Sequence, residues 1–173
     1  MALLEMALIY CLKNEGGFVN NPADRGGATN MGISTPTLST YLGRPATVTD
    51  VKNLTLAQAT DIYRKMYWGI IQGDKIKHQL IATLLMDMAI LTGPFRAVSM
   101  AQGLVGAQKD GLMGPKTLAL LNAYTPALFA QGLCQAAQDY FISIVVSDTT
   151  NTQKQFLPGW VYRSRKMLNT TLA

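Results

Sequence analysis

Two carboxylates and one hydroxyl near the start of the chain have the types and spacing that acid–base chemistry needs. Asp24 follows Glu15 by nine positions, and Thr29 follows Asp24 by five. At about 100° per residue, Glu15 falls at the end of the apolar stripe of the first predicted helix, where desolvation favours its protonated form. A protonated acid can donate to a leaving oxygen while a wetter carboxylate and a hydroxyl orient water. The pattern therefore indicates cleavage of a glycosidic bond.

The same three residues also have ordinary structural interpretations. A glutamate at a helix end can extend into solvent, an aspartate in a polar loop can form an Asx turn, and a threonine can be a loop hydroxyl. Residues 16–34 are rich in Gly, Asn and Asp and lack helical periodicity, so they predict a loop with at most a small β-hairpin. Residue types and spacing alone leave both interpretations open.

The rest of the chain predicts a mainly α fold built from helices joined by short polar segments. Start and stop signals such as Thr35-Pro36, Gly43, Thr55 with Gln58, and Gly93-Pro94 delimit them. The segment 77–92 is apolar on most faces, which is typical of a helix surrounded by others. We predict helices over 3–14, 35–43, 55–68, 77–92, 94–104, from 115, over 125–146, and a last one with Arg163, Arg165 and Lys166 on its exposed side.

Composition limits the classes of function. The 173 residues are 49% hydrophobic and 14% charged, which excludes a disordered chain. Fifteen basic against ten acidic residues give a net charge of +5, which favours a polyanionic partner: nucleic acid, an anionic membrane face or an acidic cell wall, among which the charge alone does not choose. No basic stretch or base-stacking motif supports nucleic-acid binding. The longest apolar stretch, Leu80 to Leu91, is too short to span a bilayer and contains Asp87, so we expect no stable membrane insertion.

Cysteine and histidine usage gives little support to a metal site or a disulfide. Cys11 and Cys134 form no CxxC pair, and His78 is the single histidine. We expect two separate, partly buried thiols, with a disulfide as the alternative, and no metal or cofactor. The first twelve residues lack the pattern of a signal peptide, so we expect synthesis in the cytoplasm.

The segment from Asn14 to Ile33 closely resembles the opening signature of the glycoside hydrolase family 108 muramidases, ENEGGYVNDPxDxGGxTxxGI. Its Glu, Asp and Thr are also spaced much as in the phage-type lysozyme triad, with one residue fewer between Asp and Thr. The family resemblance implies a lysozyme-like fold with Glu15 as the catalytic acid. The triad spacing assigns Asp24 and Thr29 to positioning water.

Further motifs extend the likeness through the first half. Ile62 to Trp68 is similar to the family's IYRxxYW segment, which suggests Tyr67 and Trp68 as substrate-binding aromatics; both could instead be core residues. Asn20, within the opening signature, is a third candidate for substrate binding. A later segment resembles FDxAxNSGP, with Leu91 in place of the Asn, which removes an amide that could contact substrate. In the same segment we expect Asp87 to be a buried structural acid paired with Arg96.

The second half is similar to the peptidoglycan-binding region that accompanies this family. Asp110 to Thr117 matches DGxxGPxT, and Phe156 to Arg163 resembles FxxGWxNR. Gln102, just before the first motif, is a candidate for substrate binding, although the motif could equally be a well-formed helix–turn. We predict a catalytic part over 1–93 and a peptidoglycan-binding region over 94–173, packed as one globular unit.

Taken together, the resemblance implies an N-acetylmuramidase that cleaves the β-1,4 bond between N-acetylmuramic acid and N-acetylglucosamine, with inversion. Two alternatives stay open: a lytic transglycosylase, and a non-catalytic cell-wall-binding or secretion-assisting protein. We expect a monomer whose partner is the peptidoglycan glycan strand. Action on the wall in the periplasm would then require delivery by a holin or a secretion system, whether the role is phage lysis, toxin export or wall remodelling.

Overall fold

The computed structural model describes residues 1–14, 17–20 and 27–170, and most of their regular structure is helical, as predicted. One two-stranded antiparallel hairpin, in which Thr29 pairs with Ser34, is the sheet within this part of the chain. The elements in chain order are α1 (Leu4–Asn14), β1 (Thr29–Asn30), β2 (Ile33–Ser34), α2 (Thr35–Leu42), α3 (Val48–Lys52), α4 (Leu56–Tyr63), α5 (Gln79–Thr92), α6 (Pro94–Val105), α7 (Pro115–Ala123), α8 (Pro126–Ser147) and α9 (Leu157–Lys166).

The predicted helix starts are confirmed where local caps define them. At α4 the Thr55 N–H donates to Gln58 Oε1 at 3.0 Å and the Gln58 N–H donates to Thr55 Oγ1 at 3.2 Å, which satisfies two otherwise unpaired donors. Helix α3 was not predicted. It begins with an equivalent capping box formed by Thr47 and Asp50, but it spans five residues, too few for a periodic signal.

The predicted helix over 55–68 changes its geometry part-way. Helix α4 ends at Tyr63, and the chain continues as one π-helical turn, Arg64–Trp68, closed by the Gly69 N–H donating to the Arg64 carbonyl at 2.8 Å. Gly73 then packs on Trp68 so closely that a Cβ there would lie 2.3 Å from the indole. Single π-helical turns, such as Arg64–Trp68, are often found at functional sites.

The core is centred on α5, whose nine residues from Ile81 to Ala89 are all buried. Helix α1 packs on one side of it, and α6 and α8 pack on others. One continuous hydrophobic cluster includes Leu4 and Trp68 from the first half and Phe129 and Phe141 from the second. The two halves of the chain therefore share a single core.

Asp87 is a buried structural acid, as expected, but its partner is not Arg96. Its carboxylate is fully buried and accepts from Arg163 Nη2 at 2.8 Å, and the Arg163 side chain is only 16% exposed. The placement of Arg163 on the exposed side of α9 was therefore wrong, because this side chain turns inward to neutralise a charge that has lost its water. Arg96 instead lies over the ring of Tyr140.

Cys11 and Cys134 are both buried and form no disulfide with each other, which confirms the expectation of two separate thiols. Among the residues that the structure describes, no helix is both long and apolar enough to cross a membrane.

Replacing Arg163 tests whether the ion pair joins the two halves of the core. We expect Arg163→Ala to lower the free energy of unfolding by about 3 kcal/mol, since it leaves the Asp87 carboxylate buried without its partner. Urea denaturation measures this change. Arg165→Ala, on the exposed side of the same helix, is the control and should change stability by less than about 0.5 kcal/mol. Equal effects of the two substitutions would contradict the assignment.

Candidate active site

The two predicted acids, Glu15 and Asp24, lie outside the described residues, but the elements that lead to them are placed. Helix α1 ends at Asn14, immediately before Glu15 in the sequence. Three positions of the predicted apolar stripe, Leu4, Leu8 and Cys11, are 2%, 7% and 0% exposed. The stripe that ends in the proposed acid therefore faces the core, as predicted.

Thr29 lies on β1, where the chain is fixed from two sides. It pairs with Ser34 in the hairpin and with Val19 in an isolated antiparallel bridge. In that bridge each N–H donates to the other residue's carbonyl at 2.8 Å. The half-buried Thr29 therefore belongs to a small three-stranded arrangement rather than to a free loop. Asn20 follows Val19 directly and is exposed; its role in substrate binding stays a prediction.

The hairpin is anchored to the helices by polar contacts that sequence reasoning missed. Asn30 Nδ2 donates to the carbonyls of Val51, at 3.0 Å, and Lys52, at 3.2 Å, at the end of α3. On the other side, both the N–H and the hydroxyl of Thr35 donate to the Ala28 carbonyl, at 2.9 and 3.0 Å. These bonds fix the backbone on both sides of Thr29.

Tyr63 provides a third anchor. Its hydroxyl donates to the carbonyl of Met31 at 2.6 Å, which holds the hairpin turn, where Met31 has a φ of 49°. The rings of Tyr63 and Tyr67 pack at 5.6 Å with a 46° tilt. Both tyrosines belong to the IYRxxYW motif, but the contact between Tyr63 and the hairpin could not be predicted from that motif. Its first tyrosine positions the hairpin.

The two aromatic candidates of this motif differ in access. Trp68 is 1% exposed and its indole N–H donates to Asp74 at 2.8 Å, so neither ring face is open to a sugar. The structure thus gives Trp68 a core role and does not support sugar stacking. Tyr67 is 9% exposed, and substrate contact through its outer edge stays a prediction. Leu91, which replaces the Asn of the resembled motif, is half-buried and packs against the core.

Gln102 is also an internal residue, at 1% exposure. Its amide nitrogen lies 2.7 Å from Asp110 Oδ1 and 3.0 Å from the Leu112 carbonyl, and its carbonyl accepts the Gly111 N–H at 2.9 Å. Hydrogen bonds from Gln102 and the Leu112 N–H lower the pKa of Asp110. The structure therefore corrects the assignment of Gln102 to substrate binding: this side chain holds the DGxxGPxT turn together.

Within the described ranges 1–14, 17–20 and 27–170, no group of three or more His, Cys, Asp or Glu residues is arranged to hold a metal ion.

Comparison with family models identifies the family to which the region around the hairpin is similar. The family model for glycosyl hydrolase 108 matches residues 8–93, which include the positions of Glu15, Asp24 and Thr29. The chain belongs to glycosyl hydrolase family 108. A second model, described as "Predicted Peptidoglycan domain", matches residues 96–165.

A solved structure supports the same assignment. The structure of Brucella abortus SagA is 37% identical and superposes with a TM-score of 0.85, over 96% of this chain and 91% of that one. No curated protein matches the chain. The two family models and this similarity make the protein a peptidoglycan-related hydrolase with a mainly α, lysozyme-like fold.

Replacing Gln102 tests whether this side chain stabilises the fold or contacts substrate in this glycosyl hydrolase. We expect Gln102→Leu to lower the free energy of unfolding by about 2–3 kcal/mol in urea denaturation, because it leaves the Gly111 N–H buried without an acceptor. Gln108→Leu, at an exposed position nearby, serves as the control and should be nearly neutral. Unchanged stability with weaker binding to peptidoglycan would restore the substrate-binding role.

Proposed function

We propose that this family 108 protein is an N-acetylmuramidase that hydrolyses the β-1,4 bond between N-acetylmuramic acid and N-acetylglucosamine. One observation carries the proposal: the family match extends over residues 8–93, the part of the chain that contains Glu15, Asp24 and Thr29. The described neighbours support it. The buried stripe of α1 leads to Glu15, and Thr29 lies on a strand held by the Val19 bridge.

In the proposed reaction Glu15 gives its proton to the glycosidic oxygen as the bond to the anomeric carbon breaks. Asp24 and Thr29 hold a water on the opposite face of the sugar, and Asp24 accepts a proton from that water as it attacks. The product is a reducing end of inverted configuration. Such a mechanism requires the two carboxyl groups to lie about 6.5–9.5 Å apart, so that the water fits between sugar and base.

The proposal also covers how the protein is attracted to the cell wall and how it reaches it. A net charge of +5 attracts the protein to the anionic wall, and this attraction should weaken as salt screens it. We propose that the protein acts as a monomer on the wall in the periplasm and reaches it through a holin or a secretion system.

Substitution of Glu15 tests the proposed general acid. In zymography on purified sacculi we expect clearing by the parent and a loss of at least ~100-fold with Glu15→Gln, the usual scale for removing a general acid. Glu5→Gln, on helix α1, is the matched control, because it removes the same charge from another glutamate. Glu5 pairs with Arg64 at 3.2 Å, but both side chains are at least half exposed, so this change should leave clearing unaffected.

Equal clearing by the parent and Glu15→Gln would remove Glu15 from the mechanism. Sacculus binding without clearing by the parent would favour the non-catalytic alternative.

Product analysis separates hydrolysis from transglycosylation. We expect mass spectrometry of digested sacculi to show muropeptides with reducing muramic acid ends that have gained one water. A lytic transglycosylase closes the muramic acid on itself and leaves 1,6-anhydro ends, which are lighter by that water. Anhydro products would replace the hydrolytic proposal with the transglycosylase.

A further inference from the structure

A groove outside the candidate active site lies between α6 and α8, in the second half of the chain. It is open to solvent and has a volume of about 410 Å³, within the usual size range of ligand pockets. Its floor is apolar, made by Met100, Leu104 and Ala136, and its rim carries Arg96, Lys109 and Asp139. An apolar floor with three charged side chains above it is suited to a small ligand that bears charges of both signs.

Two glycines shape this groove. A Cβ at Gly132 of α8 would lie 2.7 Å from Leu104 Cδ2, so the missing side chain lets the two helices approach. A Cβ at Gly103 of α6 would lie 2.5 Å from Lys109 Cε and 3.0 Å from its Nζ. The far end of the exposed Lys109 side chain therefore lies beside Gly103 of α6, at the rim of the groove.

Arg96 is held at the same rim by an aromatic ring. Its guanidinium carbon lies 4.4 Å from the centroid of Tyr140, a cation–π contact that fixes the group and leaves its N–H groups able to donate. Neither Arg96 nor Lys109 has an ion pair or a hydrogen bond from its side chain to the residues that the structure describes. Two positioned cations are therefore available to a ligand.

The arrangement of the charges restricts the ligand. Arg96 and Gly103, beside which the end of the Lys109 side chain lies, are seven residues or about two turns apart on α6, so both cations belong to one face of that helix. A ligand with two carboxylates can contact both. Asp139, on α8, uses one carboxylate oxygen to accept from Gln135 at 2.8 Å and adds a negative charge to the rim. This charge disfavours a uniform polyanion and favours a ligand that also carries an amino group.

We propose that this groove binds the peptide stem of peptidoglycan, with stem carboxylates at Arg96 and Lys109 and a stem amino group at Asp139. Stem peptides carry carboxylates along a short backbone and often an amino group on a diamino acid, whereas unsubstituted glycan offers mainly hydroxyls. The inference deepens the proposed function, since it rests on peptidoglycan as the substrate, and it names the part of that polymer that the second half recognises.

Titration of the intact protein with a stem peptide tests the groove. The probe is L-alanyl-γ-D-glutamyl-meso-diaminopimelyl-D-alanine, followed by NMR chemical shifts and isothermal calorimetry. We expect saturable binding, with shifts at Ser99, Gly103 and Ala136, and about tenfold weaker binding to Arg96→Ala/Lys109→Ala, since charge-assisted hydrogen bonds are lost. Lys52→Ala/Lys154→Ala, at two exposed lysines elsewhere, removes the same net charge and should leave binding unchanged.

Gly103→Ala separates geometry from charge. This variant keeps both cations and improves helix propensity, so it should fold at least as well as the parent. Its methyl group displaces the far end of Lys109, and we expect a weakening of several-fold in stem-peptide binding. A probe with amidated carboxylates should bind as weakly to the parent as the free peptide binds to Arg96→Ala/Lys109→Ala.

Three results would overturn the inference: no binding of the stem peptide, equal binding by the parent and Arg96→Ala/Lys109→Ala, or shifts in the groove with chitotetraose instead of the peptide. Sacculus clearing is read separately from peptide binding. A parent that clears sacculi without binding the stem peptide refutes only the groove, and a parent that binds the peptide without clearing sacculi refutes only the hydrolase.

Discussion

The middle of helix α5 is buried on every side, and the arrangement of the other helices follows from the need to shield it from water. Nine consecutive buried residues need neighbours in every direction, and no one half of the chain supplies them. Helix α1 comes from the first half, and α6 and α8 come from the second. Two polar residues inside α5 must also be satisfied: Thr83 accepts from Gln79 at 3.1 Å, and Asp87 is neutralised by Arg163 of α9. The buried charge makes the last helix part of the core, because a carboxylate without its partner there is strongly destabilising.

Local sequence signals predicted most of the helices, and they did so where a few adjacent residues decide the outcome. The capping box at Thr55, the break at Gly93-Pro94 and the apolar character of α5 all lie within one short window. Helix α3 was missed because five residues hold too little periodicity. The partner of Asp87 was assigned wrongly because Arg163 is 76 residues away, whereas Arg96 was merely nearby in sequence. Pairing across such a separation is decided by how helices pack, which no local pattern records.

Motif residues posed a different problem, because a family pattern retains residues that hold the fold as well as residues that bind ligand. Trp68 and Gln102 belong to or adjoin recognisable motifs, yet the structure commits both to internal hydrogen bonds. A buried polar side chain that must satisfy several partners is as restricted in type as a substrate contact. Burial is what separates the two cases, and it depends on the surrounding helices. The face of α1 that leads to Glu15 was predictable, whereas the anchors of the hairpin, Asn30 and Tyr63, emerged only from the packed structure.

The shared core also bears on how the two halves would act on a polymer. A wall-binding module on a flexible tether raises local concentration but leaves the cleavage position free. Here α5 passes into α6 through Gly93, with a φ of 86°, and both helices pack against each other and against α8. The groove between α6 and α8 is therefore built on the same hydrophobic core as the residues that hold the hairpin carrying Thr29, such as Val51 and Tyr63. On the proposed function, a stem bound in that groove would fix the register of the attached glycan strand. Binding energy would then be spent on orientation at the bond to be cleaved, which contributes more to rate than retention alone.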